Sequence, residues 1–588
     1  MPIFNKTILP QFDEEPGNRD LQRKKNAEGF NYNFSVLGEL PISAEVPDAA
    51  KAGTEWSLKI VASAYKLRRN WEQLIEKQRF VFEKPLPQKS LPELAKMLID
   101  RDLTGILGYC NPDLGVALER KRPESFADYA KIFNEIKMPL DQEALESDTR
   151  FTDYFVGGMN PVMIERVTSL RANHGLTDKI ISQRTGFEQE TVTSLIADGR
   201  LFIVDYKELD ELEAGVHPDQ PKFVYAPVVY LAVEKNSKEL KVLGIQLGQD
   251  KDTYPVINGR TGKWDWRVAK LIAKCADINY HEYLSHLGLI HLLIDPIIIA
   301  SFTHLSQNHP LYKLLIPHFE GTVPINALAV KKLLPKDGVV DQTLSASTET
   351  AFALIEKSRL NFDFRANFLP QSIERRGVGL NSQLKSYPYR DDGLKIWSAI
   401  ASWVSDYVEL YYKNDDYVAE DFELQAWVSE IVAEDGGKIK NFAPDDLIVD
   451  RKTLVETLTM IIFTSSAQHA AVNFPQAEAA NASYQPMSGY QAAPTKTNLT
   501  EKEAIEFLPP LDRAIKQAHT MILLGTTYYT KLGDYKLGHF DDKRVVPILW
   551  KFQKSLDSVE RSIKKANRTR RTPYKHLQPS LIPQSINI

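Results

Sequence analysis

The chain has 588 residues, 43% of them hydrophobic and 25% charged, with a formal net charge of -5 and a pI near 6.2. This composition is typical of a globular protein long enough for two to four domains or one unusually large domain, and its mild acidity gives no reason to expect a nucleic-acid partner. Its two cysteines, Cys110 and Cys275, are too few for a disulfide framework and indicate a reducing compartment.

The first part of the chain predicts an arm followed by helices. Residues 1–50 combine scattered Pro, Gly and acidic residues with no clear period, which indicates an arm wrapped on the body or partly disordered. They lack the layout of a signal peptide, and no uninterrupted apolar run in the chain reaches ~18 residues. We therefore expect a cytoplasmic protein that does not span a membrane.

Two helices and a hairpin follow the arm. Apolar residues recur at helical spacing over 55–80, opposite a basic face, which predicts a helix with one side in the core. A helix lying on a membrane surface is the alternative interpretation. A second helix is predicted over 91–100. Two apolar runs within 224–250, joined by the polar segment EKNSKEL, predict a β-hairpin.

Three histidines, His281, His286 and His291, recur every five residues in an apolar segment that predicts a helix running through a core. Five residues of a regular α-helix turn the chain by about 500°, so successive histidines lie roughly 140° apart and do not converge. A local π-bulge would bring two of them onto one face, and such bulges typically occur at functional sites. One such histidine alone is best interpreted as a core residue; three at equal spacing favour a functional role.

A second polar pair lies in the apolar run 458–474, where His469 and Asn473 are four residues apart and share a helical face. Residues 475–498, rich in Ala, Pro, Ser and Gly, predict a loop, either on the plain surface or over a site entrance. The chain ends in an apolar tail, 581–588. An imidazole and an amide are thus predicted inside a core.

These segments resemble the iron-site segments of the lipoxygenase family. Three stretches match in order and spacing: WDWRVAKLIAKCADINYHEYLSHLGLIHLLIDPIIIASFTHLSQNHPLYKLLIPH, SAQHAAVNF and the terminal IPQSINI. The resemblance implies a mainly α fold, in which a large helical lipoxygenase-like catalytic domain over 151–588 carries a few small antiparallel sheets. A helical N-terminal extension over 1–150 precedes it, and the β-barrel lipid-binding domain with which many lipoxygenases begin is not evident there.

Carried over residue by residue, the resemblance implies one non-haem iron (Fe) per chain and five metal ligands. These are His286, His291, His469, Asn473 as a weaker ligand, and Ile588 through its main-chain carboxylate. Imidazoles and one carboxylate suit an iron that keeps a position for water or hydroxide. No catalytic group beyond the metal-bound hydroxide is implied.

The resemblance also implies residues around the metal site and along a substrate channel. His281, Glu282 and Gln476 are expected to hydrogen-bond around the ligands without binding the metal. Ala329 lies at the family's small-residue position, where Ala tends to accompany S products and Gly R products. The other implied channel residues are Leu333 and Val340 near Ala329, and Ile278, Thr343 and Leu344, which would set the depth of the channel.

The implied activity is dioxygenation of a polyunsaturated fatty acid such as linoleate, linolenate or arachidonate. A hydrogen leaves the bis-allylic carbon, O2 adds to the resulting radical, and a hydroperoxide is released. We expect a monomer whose partners are the fatty acid and O2, with peripheral membrane contact. Two alternatives stay open: a manganese enzyme of the same family, because ligand type separates first-row metals poorly, and a catalytically silent lipid-binding relative.

Three departures from the family pattern lie near this site. Val330 stands where Arg is usual, Pro475 where Gly is usual, and Asp295 where Glu is common. None is an implied ligand. The carbon oxygenated, the stereochemistry, the preferred fatty acid, whether it enters free or esterified, and any calcium dependence are left open by the sequence.

Overall fold

Helices form most of the protein, as the resemblance implied. The computed structural model describes residues 6–588 except 52, 78–79, 101, 116, 119–121, 140–145, 218 and 527–529. The longer α-helices are Pro16–Asn26, Thr54–Glu76, Leu91–Ile99, Leu103–Cys110, Asp148–Gly157, Lys263–Tyr280, Leu292–His304, Thr322–Lys332, Thr348–Leu360, Pro388–Tyr411, Phe422–Val432, Arg451–Phe463, Leu511–Leu524 and Val545–Ala566.

Shorter helical segments connect these helices. The short α-helices are Asp178–Ser182, Val192–Ala197, Pro310–Leu315, Val339–Thr343, Leu369–Arg375, Asp415–Ala419, His469–Asn473, Pro475–Ala479 and Glu501–Glu506. Two π-helical segments are His281–His291 and Thr464–Gln468. The 3-10 turns are Pro10–Phe12, Asp48–Ala50, Phe126–Ile132, Lys207–Glu211, Ile316–His318, Arg365–Asn367, Pro444–Asp446 and Pro579–Leu581.

A five-stranded antiparallel sheet carries the predicted hairpin. In spatial order its strands are Glu165–Arg166, Leu201–Asp205, Val228–Val233, Leu240–Gln246 and Val256–Ile257. Val229 lies opposite Ile245, and the polar segment after Val233 forms the turn. Every residue of the central strand is buried, and alternate side chains enter two different hydrophobic clusters, because successive strand residues point to opposite faces. A small second sheet pairs Tyr32–Asn33 with Ile42–Ser43.

The N-terminal arm is wrapped on the body, and part of it is helical. Within the helix Pro16–Asn26, the Arg19 guanidinium makes two hydrogen bonds, of 2.7 and 3.0 Å, to the Glu423 carboxylate, and both side chains are buried. The next predicted helix is confirmed as Thr54–Glu76, with Trp56, Ile60 and Leu67 facing the core. Because one hydrophobic cluster includes residues from Leu9 to Ile588, the extension and the catalytic part share a core.

A continuous helix, Lys263–His304, runs through that core and changes from α to π and back to α. We call it the histidine helix. By length and composition it could cross a membrane, but 89% of its most apolar window is buried inside the protein, as expected of a core helix. Pro296 lacks an N–H and leaves the Leu292 carbonyl without its helical donor. The buried Arg359 supplies one, at 3.1 Å.

The C-terminal region departs from the prediction at one place. Residues 475–498 are not a loop throughout, because Pro475–Ala479 form a separate short helix directly after His469–Asn473. Pro475 occupies its first position, where an N–H would have no helical acceptor. The rest of the segment is irregular, and much of it is buried. The tail 582–588 is buried throughout and irregular, so it needs side-chain partners for its main chain.

Candidate metal site and adjoining cavity

Two π-helical segments bring three imidazoles together in the core. His286 and His291 lie on the π segment of the histidine helix, and their Nε2 atoms are 3.2 Å apart. His469 follows the second π segment, and its Nε2 is 3.4 Å from that of His286. All three side chains are buried. The predicted π geometry therefore solves the convergence that a regular α-helix forbids.

The hydrogen bonds of the outer ring nitrogens determine which nitrogen carries the proton. His291 Nδ1 lies 2.8 Å from Asn326 Oδ1, and His286 Nδ1 lies 3.4 Å from Glu282 Oε2; both oxygens only accept. Burial, then neighbouring charge, lowers the pKa of His291 to about 3, and burial also lowers that of His286. Both rings are therefore neutral with the proton on Nδ1, so two Nε2 lone pairs face each other. A cation bound by both nitrogens would make that arrangement favourable.

His469 completes the cluster. Burial, followed by the neighbouring rings of His291 and His286, holds the pKa of His469 well below its usual range, although the Ile588 main chain opposes the shift. Its Nδ1 is buried and has no hydrogen-bond partner in the described part of the chain. Metal-binding atoms of the three histidines lie within 4.8 Å of one another. The residues present fit a metal ion, and neutral imidazoles are the form that binds one.

His281 and Glu282 contact the segments that carry the histidine cluster. His281 Nε2 donates to the Val472 carbonyl at 3.0 Å and so ties the histidine helix to the helix that carries His469. Glu282 lies 3.4 Å from both His281 and His286; burial would raise the pKa of its carboxyl, but these two histidines lower it below its ordinary value. This carboxylate stabilises the Nδ1–H of His286.

Asn473 and Gln476 are joined by a hydrogen bond. Gln476 Nε2 donates to Asn473 Oδ1 at 3.2 Å, while Asn473 Nδ2 donates to the Leu524 carbonyl at 2.8 Å. The second bond fixes which way the amide points and leaves its oxygen as the acceptor. Asn473 is fully buried one helical turn after His469. Its oxygen is therefore held on the face of the helix that carries the imidazole.

The C-terminal tail is bound by side chains from separate parts of the chain. Trp56 Nε1 donates to the Asn587 carbonyl at 2.6 Å, and Thr322 Oγ1 donates to the Ile586 carbonyl at 2.9 Å. Further back, His318 Nδ1 donates to the Gln584 carbonyl at 2.8 Å. Ile588 is 3% exposed and lines the same cavity as His286 and His291. The tail is therefore threaded into the core, with its last residue at the histidines.

A chain of hydrogen bonds connects His291 to the N-terminal arm. Asn326 accepts from His291 Nδ1 and donates through Nδ2 to Asp295 Oδ1 at 3.0 Å. The other oxygen of Asp295 accepts from the Ser43 N–H at 2.7 Å. All three side chains are buried. The orientation of the His291 ring is thus set by a relay that ends on residue 43.

An apolar cavity of about 390 Å³ adjoins the histidines and reaches exposed residues at its other end. Four predicted channel residues line it: Ala329, Leu333, Val340 and Leu344. Ile278 and Thr343, predicted to set its depth, do not line it. Ile278 is fully buried in the α-helical part of the histidine helix, before the π segment that faces the cavity, and Thr343 turns its hydroxyl back onto the Val339 carbonyl.

Sequence reasoning missed three residues that hold this site in place. Asn326 stands three residues before Ala329 in the same motif, and a polar residue at a buried helix position was the available signal. Asp295 was noted only as a departure from the family pattern. Trp56 gave no signal, because nothing in a helical pattern tells which core indole will donate a hydrogen bond.

Comparisons with known proteins identify the family. The lipoxygenase family profile matches residues 121–580. Linoleate 9/13-lipoxygenase from Pseudomonas aeruginosa is 33% identical, covering 99% of this chain and 92% of that protein. Human polyunsaturated fatty acid lipoxygenase ALOX15B is 34% identical over 79% of this chain and 69% of that protein. The fold is similar to that of coral 8R-lipoxygenase, with a TM-score of 0.85 at 24% identity, covering 99% of this chain and 83% of that chain.

The fold encloses an imidazole cluster that fits a metal ion, beside a cavity that fits an apolar substrate. The chain belongs to the lipoxygenase family. Lipoxygenases act on polyunsaturated fatty acids with O2, typically with a non-haem iron.

Proposed function

We propose that the chain holds one iron ion and forms fatty-acid hydroperoxides from polyunsaturated fatty acids. His286, His291 and His469 would hold the iron through Nε2, with Asn473 as a weaker ligand and the Ile588 carboxylate as the anionic one. The observation that carries this proposal is the convergence of the buried His286 and His291 Nε2 atoms, 3.2 Å apart. Iron, when bound, supplies the redox chemistry, while the protein orients the substrate and excludes water from the site.

The cavity beside the histidines is the proposed site for the acyl chain. Apolar side chains dominate its lining, and the exposed lysines Lys331, Lys332 and Lys336 line its outer part. A fatty acid has the same distribution, with a long apolar chain and one carboxylate. Alignment of the reacting carbon against one wall is the main contribution that such a channel makes to catalysis. Ala329 at that wall is proposed to admit O2 to one face.

The experiment that tests this function is product analysis on protein whose metal has been quantified. Linoleate and arachidonate are incubated separately with the full chain, and the products are resolved by chiral chromatography. We expect one dominant chiral hydroperoxide from at least one substrate. Fully metallated protein that yields no hydroperoxide would support the silent relative instead.

Metal identity needs a separate experiment, because imidazole and carboxylate ligands accept both iron and manganese. Metal-free protein is reloaded with Fe²⁺ or Mn²⁺ and assayed side by side. Full activity with iron alone supports the proposal. Activity restored only by manganese would replace iron as the cofactor while leaving the reaction in place.

We further propose a cytoplasmic monomer that contacts membranes peripherally. Both cysteines are free and buried, which suits a reducing compartment.

Membrane contact is proposed for one exposed apolar helix. Leu91 and Ile99, at the two ends of that helix, are 83% and 79% exposed. Co-sedimentation with phosphatidylcholine vesicles should fall for the double variant Leu91→Ser/Ile99→Ser. It should not fall for the control Leu447→Ser, which changes an exposed leucine elsewhere. Equal co-sedimentation of all three proteins would remove this surface from the proposal, and sedimentation velocity would test the monomer.

A further inference from the structure

A second cavity, of about 630 Å³, adjoins a different face of the histidine helix. The reaction cavity takes its lining from Glu282, His286 and His291 on that helix, whereas the second cavity takes Ser285, Leu289 and Ile290. The two cavities share no lining residue. We call the larger one the rear cavity. A ligand there would not compete directly for the space beside the histidines.

The rear cavity has an apolar floor and a cationic wall. Leu289, Ile290, Met460 and Phe463 form much of the floor. Five cationic side chains also line it, against three acidic ones. The cationic residues are Arg166, Arg171, Lys207, Arg375 and Arg376, and the acidic ones are Glu165, Asp205 and Glu208.

Two of the arginines have hydrogen-bonding capacity to spare. Arg376 donates through Nη1 to the Ile164 carbonyl and to Tyr387, but its Nε is buried with no partner among the described residues. Arg166 has no carboxylate partner in the part of the chain that the structure describes. A buried N–H without an acceptor is costly, and a carboxylate is the acceptor that a guanidinium binds best. Arg171, by contrast, is already paired with Asp205.

The rear cavity touches the segments that carry the histidines. Leu289 and Ile290 immediately precede His291 on the π segment. Gln468 immediately precedes His469, and its side-chain oxygen accepts from the Tyr389 hydroxyl; both of these residues line the cavity. Ser285, which immediately precedes His286, also lines the cavity, so a molecule bound there would contact the chain neighbours of all three histidines. Such contact gives it differential affinity for the positions of those segments.

We propose that the rear cavity is a second binding site for a long-chain carboxylate, and that its occupancy changes the turnover rate at the histidines. A short anion would leave the apolar floor uncovered, and an uncharged lipid would leave Arg376 Nε unpaired. The binding site stands on the cavity alone. Its effect on turnover rests on the proposed function.

Oleate is a suitable probe, because its single double bond offers no 1,4-diene and it is not consumed. Its binding to the full-length, metal-loaded protein is measured by isothermal titration calorimetry below its micellar concentration. We expect two oleate molecules per chain. Oleyl alcohol, which lacks the charge, should fill only the reaction cavity, and acetate should not bind. A single oleate per chain would overturn the proposal.

Variants assign the second oleate to the rear cavity. Arg376→Gln should weaken one of the two binding events by about tenfold or more. Met163→Trp, which fills the cavity from a half-buried position without changing charge, should abolish the same event. Arg166→Gln, at an exposed position, keeps the test open if Arg376→Gln does not fold. Arg561→Gln, an exposed arginine on another helix, is the matched control. If Arg376→Gln, Met163→Trp and Arg166→Gln all keep two undiminished binding events, like the control, the second oleate binds elsewhere.

A kinetic experiment tests whether occupancy of the second site changes kcat. Oleate in the reaction cavity alone raises the apparent KM for linoleate and leaves kcat unchanged. Oleate in the rear cavity should change kcat, and Met163→Trp should remove that change while keeping the effect on KM. Loss of all activity with two oleates still bound would count against the proposed function and leave the second site standing. An unchanged kcat at saturating oleate in the parent protein would overturn the regulatory part.

Discussion

Trp56 donates a hydrogen bond of 2.6 Å to the main-chain carbonyl of Asn587 in the core of the protein. The two residues are 531 positions apart, and the bond lies one residue before Ile588. The helix Thr54–Glu76 therefore holds the end of the chain beside the histidines. A carboxylate placed there needs such support, because an irregular tail has no regular main-chain hydrogen bonds to fix its position.

Trp56→Phe should weaken the hold on iron. Phenylalanine fills most of the space of the indole but cannot donate, and the buried Asn587 carbonyl left unpaired costs about 1–3 kcal/mol. We expect faster loss of iron to a chelator, followed by metal analysis, together with a lower Tm. Trp550→Phe, at an indole that is 62% exposed, is the control and should change neither. Equal iron retention in both variants would show that the bond does not position the tail.

His286→Ala and His291→Ala should each abolish bound iron and hydroperoxide formation. Either change removes one of the two facing Nε2 atoms that make the site a cation site. His281→Ala is the matched control on the same helix, because His281 bonds the Val472 carbonyl and not the cluster. We expect it to retain iron with reduced activity. Stoichiometric iron in either of the first two variants, measured by metal analysis, would remove that residue from the ligand set.

The end of the chain should matter more than the side chain of its last residue. Ile588→Val keeps the carboxylate and loses one buried methylene, which costs about 0.5–1.5 kcal/mol, so most of the iron should remain. Adding a few residues turns the carboxylate into a neutral amide, and deleting Ile588 moves it back by ~3.3 Å. Both should abolish activity without unfolding the body, as circular dichroism would verify. A C-terminally extended protein with full iron and a normal rate would exclude Ile588 as a ligand.

Ala329→Gly should increase the share of R product from arachidonate or linoleate. Ala329 lines the reaction cavity, and removing its methyl group opens space for O2 at a different part of the acyl chain. The change costs about 1 kcal/mol of helix stability, too little to unfold the protein. Ala327→Gly, in the same helix but outside the lining of that cavity, is the control for helix stability. An unchanged enantiomer ratio by chiral chromatography would show that Ala329 does not direct oxygen.

Asp295 should make stability depend on pH. Burial raises the pKa of its carboxyl from 3.8 to about 6, although Ser43 and Asn326 donate to it. The folded protein therefore holds a proton that the unfolded chain releases, and this stabilisation is full below about pH 3.8 and lost as the pH rises through about 6. The difference between the two pKa values corresponds to about 3 kcal/mol.

Asp295→Asn removes this titration and tests it. As the pH rises from 4.5 to 7, the difference in Tm between the parent and the variant should shift in favour of the variant. Asp153→Asn, a carboxyl near the surface that is bound by Arg571, should not reproduce that trend. A difference that stays constant or moves the other way would show that Asp295 is ionised across this range.

The sequence predicted the parts of this site that depend on local spacing. The five-residue interval of the histidines required π geometry for convergence, and His281–His291 has it. The four-residue interval of His469 and Asn473 likewise put both on one helical face. What it could not supply were bonds between distant segments, such as that of Asp295 with Ser43. Local periodicity carries no information on which buried donor meets which acceptor across hundreds of residues.

The N-terminal arm contributes Arg19 to Glu423 and Ser43 to Asp295, and the helix Thr54–Glu76 contributes Trp56 to Asn587. Both segments lie outside the range 121–580 that matches the family profile. A fragment trimmed to that range would lose the Arg19 donors to the Glu423 carboxylate and the Ser43 donor to the Asp295 carboxylate, and it would lack the terminal residue beside the histidines. Neither end could be exchanged with that of a relative, or replaced by a fusion partner, without losing these contacts. Recombination within this family would have to preserve both ends together.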